Sequence, residues 1–164
     1  MFILYSLFLV NLQPKSTHNM KTIFLTIIIP LLFLTSCSVE PQPIDYGNDH
    51  CHFCDMTVVD HSHAAEYTTK KGKSYMFDAV ECLVRQLNQE NNEDKMAFVL
   101  VADYANPGNL IDAKTATYLI SPKIKSPMGA NLSAFSDKKV AEQTQQEFGG
   151  ELYTWEEIKT KLQK

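Results

Sequence analysis

Beyond residue 50 the apolar positions of this chain switch repeatedly between a period of two and a period near four. "MTVVD" (56–60) and "AAEYTT" (64–69) alternate or are β-branched, as strands do. "KKGK" then precedes "SYMF", so Thr69–Lys73 is predicted as a hairpin turn around Gly72, where a positive φ costs glycine little. Next, "FDAVECLVRQLNQENN" places Val80, Leu83, Val84 and Leu87 on one helical face, and Asp78 with Glu81 three residues on reads as a capping box. "KMAFVLVADY" reads as a buried strand ending near Asp103.

The second half repeats the order. "ATYLIS" and "NLSAFS" are strand-like around the Pro/Gly-rich loop "SPKIKSPMGA". "DKKVAEQTQQEFGG" is a helix stopped by Gly149 and Gly150, "ELYTW" a short strand, and "TWEEIKTKL" a last helix capped by Thr154 with Glu157. Phe77-Asp78 lines up with Phe135-Ser136-Asp137, each just before a helix. The expected fold is α+β: two small related ββαβ units, at 50–110 and at 111–164 with the C-terminal helix, their strands antiparallel and their helices on one side.

The N-terminal third has a different pattern. From Met20, "MKTIFLTIIIPLLFLTSC" gives one lysine, an apolar run from Ile23 to Leu34, and small residues, the layout of a secretory signal peptide (20–36). The run is shorter than the roughly 20 residues that span a bilayer, and it contains Pro30. Its end, "LTSC", resembles a bacterial lipobox, which implies cleavage before Cys37 and lipid on that thiol. Residues 37–49 then read as a flexible tether from the lipidated cysteine. Residues 1–19 stand ahead of the signal as an upstream extension outside the mature protein, translation starting at Met20.

Charge narrows the partners. Removing everything before Cys37 takes away Lys15 and Lys21 and no acid, leaving 13 basic and 19 acidic side chains, a net of −6. No basic, aromatic-interleaved run exists, so nucleic acid is excluded as a partner. An acidic body does not adhere to anionic lipid by net charge, so membrane attachment falls to the lipid anchor.

The chemistry concentrates in "HCHFCDM" (50–56). Haem attachment needs His directly after the second cysteine, and Asp55 stands there. A thiol–disulfide oxidoreductase using Cys51 and Cys54 would want a helix after the second cysteine, whereas "DMTVVD" is strand-like. A structural zinc module could draw on His50, Cys51, His52, Cys54, His61 and His63, but a second paired set is missing. Met56 favours a third reading. A thioether is a poor zinc ligand and a good one for soft Cu(I) beside thiolate, and on a strand Cys54 and Met56 share a face. Cys51, on the loop leading in, would join them. Cys82 reads first as a buried, inert thiol, and as a third sulfur donor if the helix start faces this locus. No Ser–His arrangement, paired carboxylates or phosphate loop appears, so no enzymatic activity is expected.

"CHFCDMTVVD", "KKGKSYMFDAVECL" and "SPMGANLSAF", behind a lipobox, resemble the NosL-type lipoproteins, accessory proteins of nitrous oxide reductase maturation. The resemblance covers Cys51 to about Phe148. The family's core element is Cys-x-Met, usually with Gly between; here it is Cys54-Asp55-Met56. The resemblance implies the two-unit ββαβ fold, Cu(I) as the bound metal, and copper delivery to apo nitrous oxide reductase with a membrane ABC-type complex. The signal peptide and lipobox imply an extracytoplasmic, periplasmic-side location, lipid-anchored to the cell membrane or outer membrane. The family's Pro-Met-Gly signature stands at Pro127-Met128-Gly129, so Met128 either completes the copper site or plugs the domain interface.

Overall fold

The computed structural model describes residues 38–163, of which those from Val39 onward form one compact unit. The signal, Cys37 and the upstream extension lie outside the described residues.

The antiparallel hairpin β1 (Ala65–Thr69) and β2 (Ser74–Phe77) forms as the alternation predicts, with Gly72 at φ +82 and its N–H donating to Thr69 O at 2.8 Å. After α1 (Val80–Glu90) and a 3-10 turn (Glu93–Lys95), β3 (Met96–Ala102) pairs with β1, and β4 (Leu110–Asp112) pairs with β3. The first sheet therefore runs β2-β1-β3-β4. In the second sheet β5 (Thr117–Ile120) lies between β6 (Leu132–Phe135) and β7 (Glu151–Tyr153), again antiparallel. Helix α2 (Lys138–Phe148) precedes β7, and α3 (Trp155–Lys161) follows it. The fold is thus α+β, with two small antiparallel sheets and three helices.

One apolar core crosses both halves. Val80, Leu83, Val84 and Leu87 of α1 pack with Tyr67, Phe77 and Val101 of the first sheet and with Tyr118, Leu132 and Trp155 of the second part. Polar contacts join the halves as well. Asp103 bridges Ala134 in parallel, and its buried carboxylate accepts from Ser136 Oγ at 2.7 Å. Buried His63 sits between Asp60 (Nδ1 to Oδ2, 2.8 Å) and Ser133 (Nε2 to Oγ, 3.3 Å). Ser133 is wholly buried, so this Ser–His–Asp row is a structural tie that no substrate can reach.

Two local expectations fail. "MTVVD" is not a strand; only Thr57 bridges, to His50, and the segment otherwise closes a turn. Asp78 and Glu81 form no capping box: Ala79 is the N-cap of α1 and no side chain caps it. Both carboxylates are drawn to tertiary partners described below. The other two expected helix starts and stops hold. Gly149 ends α2, and Thr154 with Glu157 forms the box at α3. Within the stretch read as a tether, Gln42 N–H donates to Glu66 Oε1 at 3.0 Å and Gly47 N–H to Val58 O at 2.9 Å.

Candidate metal centre

Cys51 to Met56 fold into a tight turn. Cys51 N–H donates to Met56 O at 2.8 Å, and Asp55 N–H returns to Cys51 O at 2.8 Å. The turn requires a left-handed residue at position 55, and Asp55 takes φ +64. Glycine would take that conformation freely, and Asp is among the few other residues that tolerate it. His50 Nδ1 donates to Asp55 O at 3.1 Å and steadies the same peptide. His52 N–H donates to Met76 O at 2.8 Å, which fastens the turn to the β2 edge.

This turn meets the start of α1. The Sγ atoms of Cys51, Cys54 and Cys82 and a carboxylate oxygen of Asp78 all lie within 4.8 Å of one another. Among the described residues this is the one such group of three or more His, Cys, Asp or Glu side chains. Cys51, Asp78 and Cys82 are buried and Cys54 is partly so. Cys54 Sγ–H donates to Asp78 Oδ1 at 3.5 Å, and Cys82 Sγ lies 4.0 Å from Cys54 Sγ. Asp78 Oδ2 is buried and without a hydrogen-bond partner.

The three thiols are electrostatically unequal. Donation from the Cys82 thiol, helped by the backbone N–H groups of Asp78 and Cys54, lowers Cys51 to about 6 against the burial that opposes it. Burial raises Cys54 to about 11, although Met56 N–H points to its sulfur. Cys82 is raised above the usual thiol range, chiefly because it donates to Cys51 and then by burial. At neutral pH the metal-free site holds one thiolate, two thiols and a carboxyl oxygen.

The structure therefore brings Cys51 and Cys54 together, as the spacing suggests, and adds Cys82 and Asp78. Met56 is on the same turn but not on a strand beside Cys54, and the residue is 49% exposed. Met128 is partly buried in the turn 126–130 and packs against the core that contains Cys51 and Cys82. That turn is fastened by Glu81, the neighbour of Cys82, whose Oε1 accepts from Ser126 Oγ and from Ala130 N–H at 3.2 Å. The histidines go elsewhere: His52 against Tyr75, His61 stacked on Tyr46, and His63 into its tie with Asp60. Asp78 is the donor that the sequence pattern hides, because a carboxylate just before a helix looks like a cap.

The family model for NosL matches residues 43–163. The chain belongs to the NosL family. One NosL relative, the copper-binding lipoprotein NosL of Stutzerimonas stutzeri, is 30% identical over 128 residues, covering 74% of this chain and 67% of that protein. The crystal structure of the copper chaperone NosL from Shewanella denitrificans superposes with a TM-score of 0.64 at 26% identity, covering 73% of this chain and 96% of that one. Family membership extends over the whole of both sheets and all three helices.

Proposed function

We propose that this chain is a copper carrier: it binds Cu(I) at the Cys51–Cys54–Cys82 locus and hands it to apo nitrous oxide reductase, assisted by a membrane ABC-type complex. The observation that supports this most is the convergence of three sulfurs from two separate elements, one of them already a thiolate at neutral pH. Soft thiolate and thioether donors select Cu(I), and a partly exposed Cys54 beside an exposed Met56 leaves an approach for an incoming ligand. Cargo is thereby released by ligand exchange rather than by unfolding. Met128 is the further thioether that would complete the set. Lipidation at Cys37 would hold the carrier on the periplasmic side of the cell membrane or outer membrane. Among the described residues no helix is long and apolar enough to cross a membrane. The relatives named above are a copper-binding lipoprotein and a copper chaperone, which agrees with this reading.

The presence of Asp78 in the cluster favours a second reading. Three sulfurs and one carboxylate oxygen are also a tetrahedral zinc set. The two are separated by titrating the reduced protein with Cu(I) and Zn(II) in competition. Cu(I) preference that weakens in Cys54→Ser and in Met56→Ala is the expected result. Zinc preference indifferent to Met56, with chelators unfolding the protein, would replace the copper reading.

A further inference from the structure

The β1–β2 turn carries a concentration of positive charge that the metal chemistry does not use. Lys70, Lys71, Lys73 and Lys95 line one groove of about 610 Å³ together with Tyr75 and Met96. Asp94 is the one acidic side chain on its wall. Lys70 N–H donates to Lys95 O at 2.9 Å, so the hairpin turn and the 3-10 turn are tied, and Lys73 Nζ stands 4.5 Å over the Tyr75 ring. Among the described residues none of the four lysines forms an ion pair, whereas Lys114, Lys138, Lys159 and Lys161 all do. Setting the five groove charges aside leaves nine basic and eighteen acidic side chains after Cys37. The groove is a cationic island on an otherwise acidic body.

Its position gives it a direction. β2 is an edge strand. Met76 O faces outward to His52 N–H, and Thr69 N–H pairs inward with Lys73 O at 2.9 Å. By the alternation of an antiparallel ladder, Ser74 then presents its own N–H and C=O outward, between the lysines and the metal turn. A second groove, lined by Cys51, His52 and the acids Asp49 and Asp55 with Ser74 and Tyr75, continues along the same edge, so acid in a docked segment is favoured only at the lysine end. Tyr75 lines both. A strip thus runs from four lysines, past a free backbone pair, to Cys51. Four strand residues separate its ends, roughly 13 Å.

From this juxtaposition we infer that the β2 edge is a docking strip for an extended acidic segment, bearing at least one apolar side chain, of the protein that takes the metal. The inference rests on the copper-carrier reading for the identity of the partner. Charge complementarity selects acid at the lysine end, and Tyr75 with Met96 supplies the apolar seat. The outward groups of Ser74 accept a chain by strand addition. A bilayer surface offers neither a chain to pair with Ser74 nor a shape that enters a groove.

The test uses the full chain in an uncharged detergent and a dye-labelled decapeptide alternating Glu and Val, followed by fluorescence anisotropy. Wild type should bind it, less well as salt rises. The K70E/K71E/K73E/K95E variant should bind at least roughly tenfold more weakly, and the corresponding Lys→Gln variant should fall between. K123E/K125E/K138E/K139E, which makes the same charge change elsewhere, should bind like wild type. Equal loss in both reversal variants, no loss in the groove variant, or displacement of the peptide by phosphatidylcholine–phosphatidylglycerol vesicles would overturn the proposal. Cu(I) uptake is measured on every variant. If wild type takes up no Cu(I) while peptide binding follows the groove lysines, the carrier reading fails and the docking strip stands.

Discussion

Cys51 is a thiolate at neutral pH because Cys82 gives it a hydrogen bond, so the two cannot both be charged in the metal-free protein. Metal binding must displace whatever protons remain. Cys54 and Cys82 hold theirs at neutral pH, since both are raised above the ordinary thiol value, Cys54 by burial first and Cys82 by its bond to Cys51. Low pH favours the protonated, metal-free form, and affinity climbs as pH rises. With all three sulfurs bound, two protons leave above about pH 6, so apparent Cu(I) affinity should gain about a hundredfold per pH unit between 6.5 and 8.5. Cys82→Ser removes one of those protons while its hydroxyl still donates to Cys51 and keeps that sulfur a thiolate, and should cut the gain to about tenfold per unit. Competition titration against a chromophoric Cu(I) chelator across that range reads both slopes. An unchanged slope in Cys82→Ser would remove Cys82 from the ligand set.

At the scale of elements, the turn 51–56 explains why Asp55 can stand where glycine is usual. Its φ of +64 is open to glycine, tolerable for Asp, and strained for other residues. Asp55→Ala should destabilise the protein by about 1 kcal/mol and lower its melting temperature by several degrees, whereas Asp55→Gly should match or exceed wild type. Thermal unfolding by circular dichroism measures both, and equal losses would show that the carboxylate matters more than the backbone. The same turn marks where sequence reading stops. Hairpin, helices and the Thr154–Glu157 box were legible because each is decided by neighbours in sequence. The fate of the two aligned aspartates was not. Asp137 caps α2, accepting from Lys139 N–H at 2.7 Å. Asp78, in the matching place, turns to Cys54 instead, and Glu81 to the turn 126–130. Both are decided by residues far along the chain, which local spacing does not report. The β-branched "TVV" misleads in the other direction: with a turn on its N-terminal side and only Thr57 bridged, propensity alone made no ladder.

For the molecule as a whole, the two sheets are held by one core and by the ties at Asp103 and His63, so the metal locus is built on a single unit rather than between loose halves. Two sulfurs come from the turn and one from α1, with the entire β1–β2 hairpin between Cys54 and Cys82. An ion held by all three is therefore a removable cross-link that closes a loop of about 28 residues, the kind of closure that restrains an unfolded chain by roughly 3.5 kcal/mol in a disulfide. Loaded protein should resist limited proteolysis at least several-fold longer than empty protein, with the difference abolished in Cys82→Ser; gel electrophoresis of a trypsin time course tests it, and identical rates would show that the helix sulfur holds nothing. On the copper-carrier reading, the emptied protein is then the slacker molecule, and a protease would cull spent copies while sparing full ones.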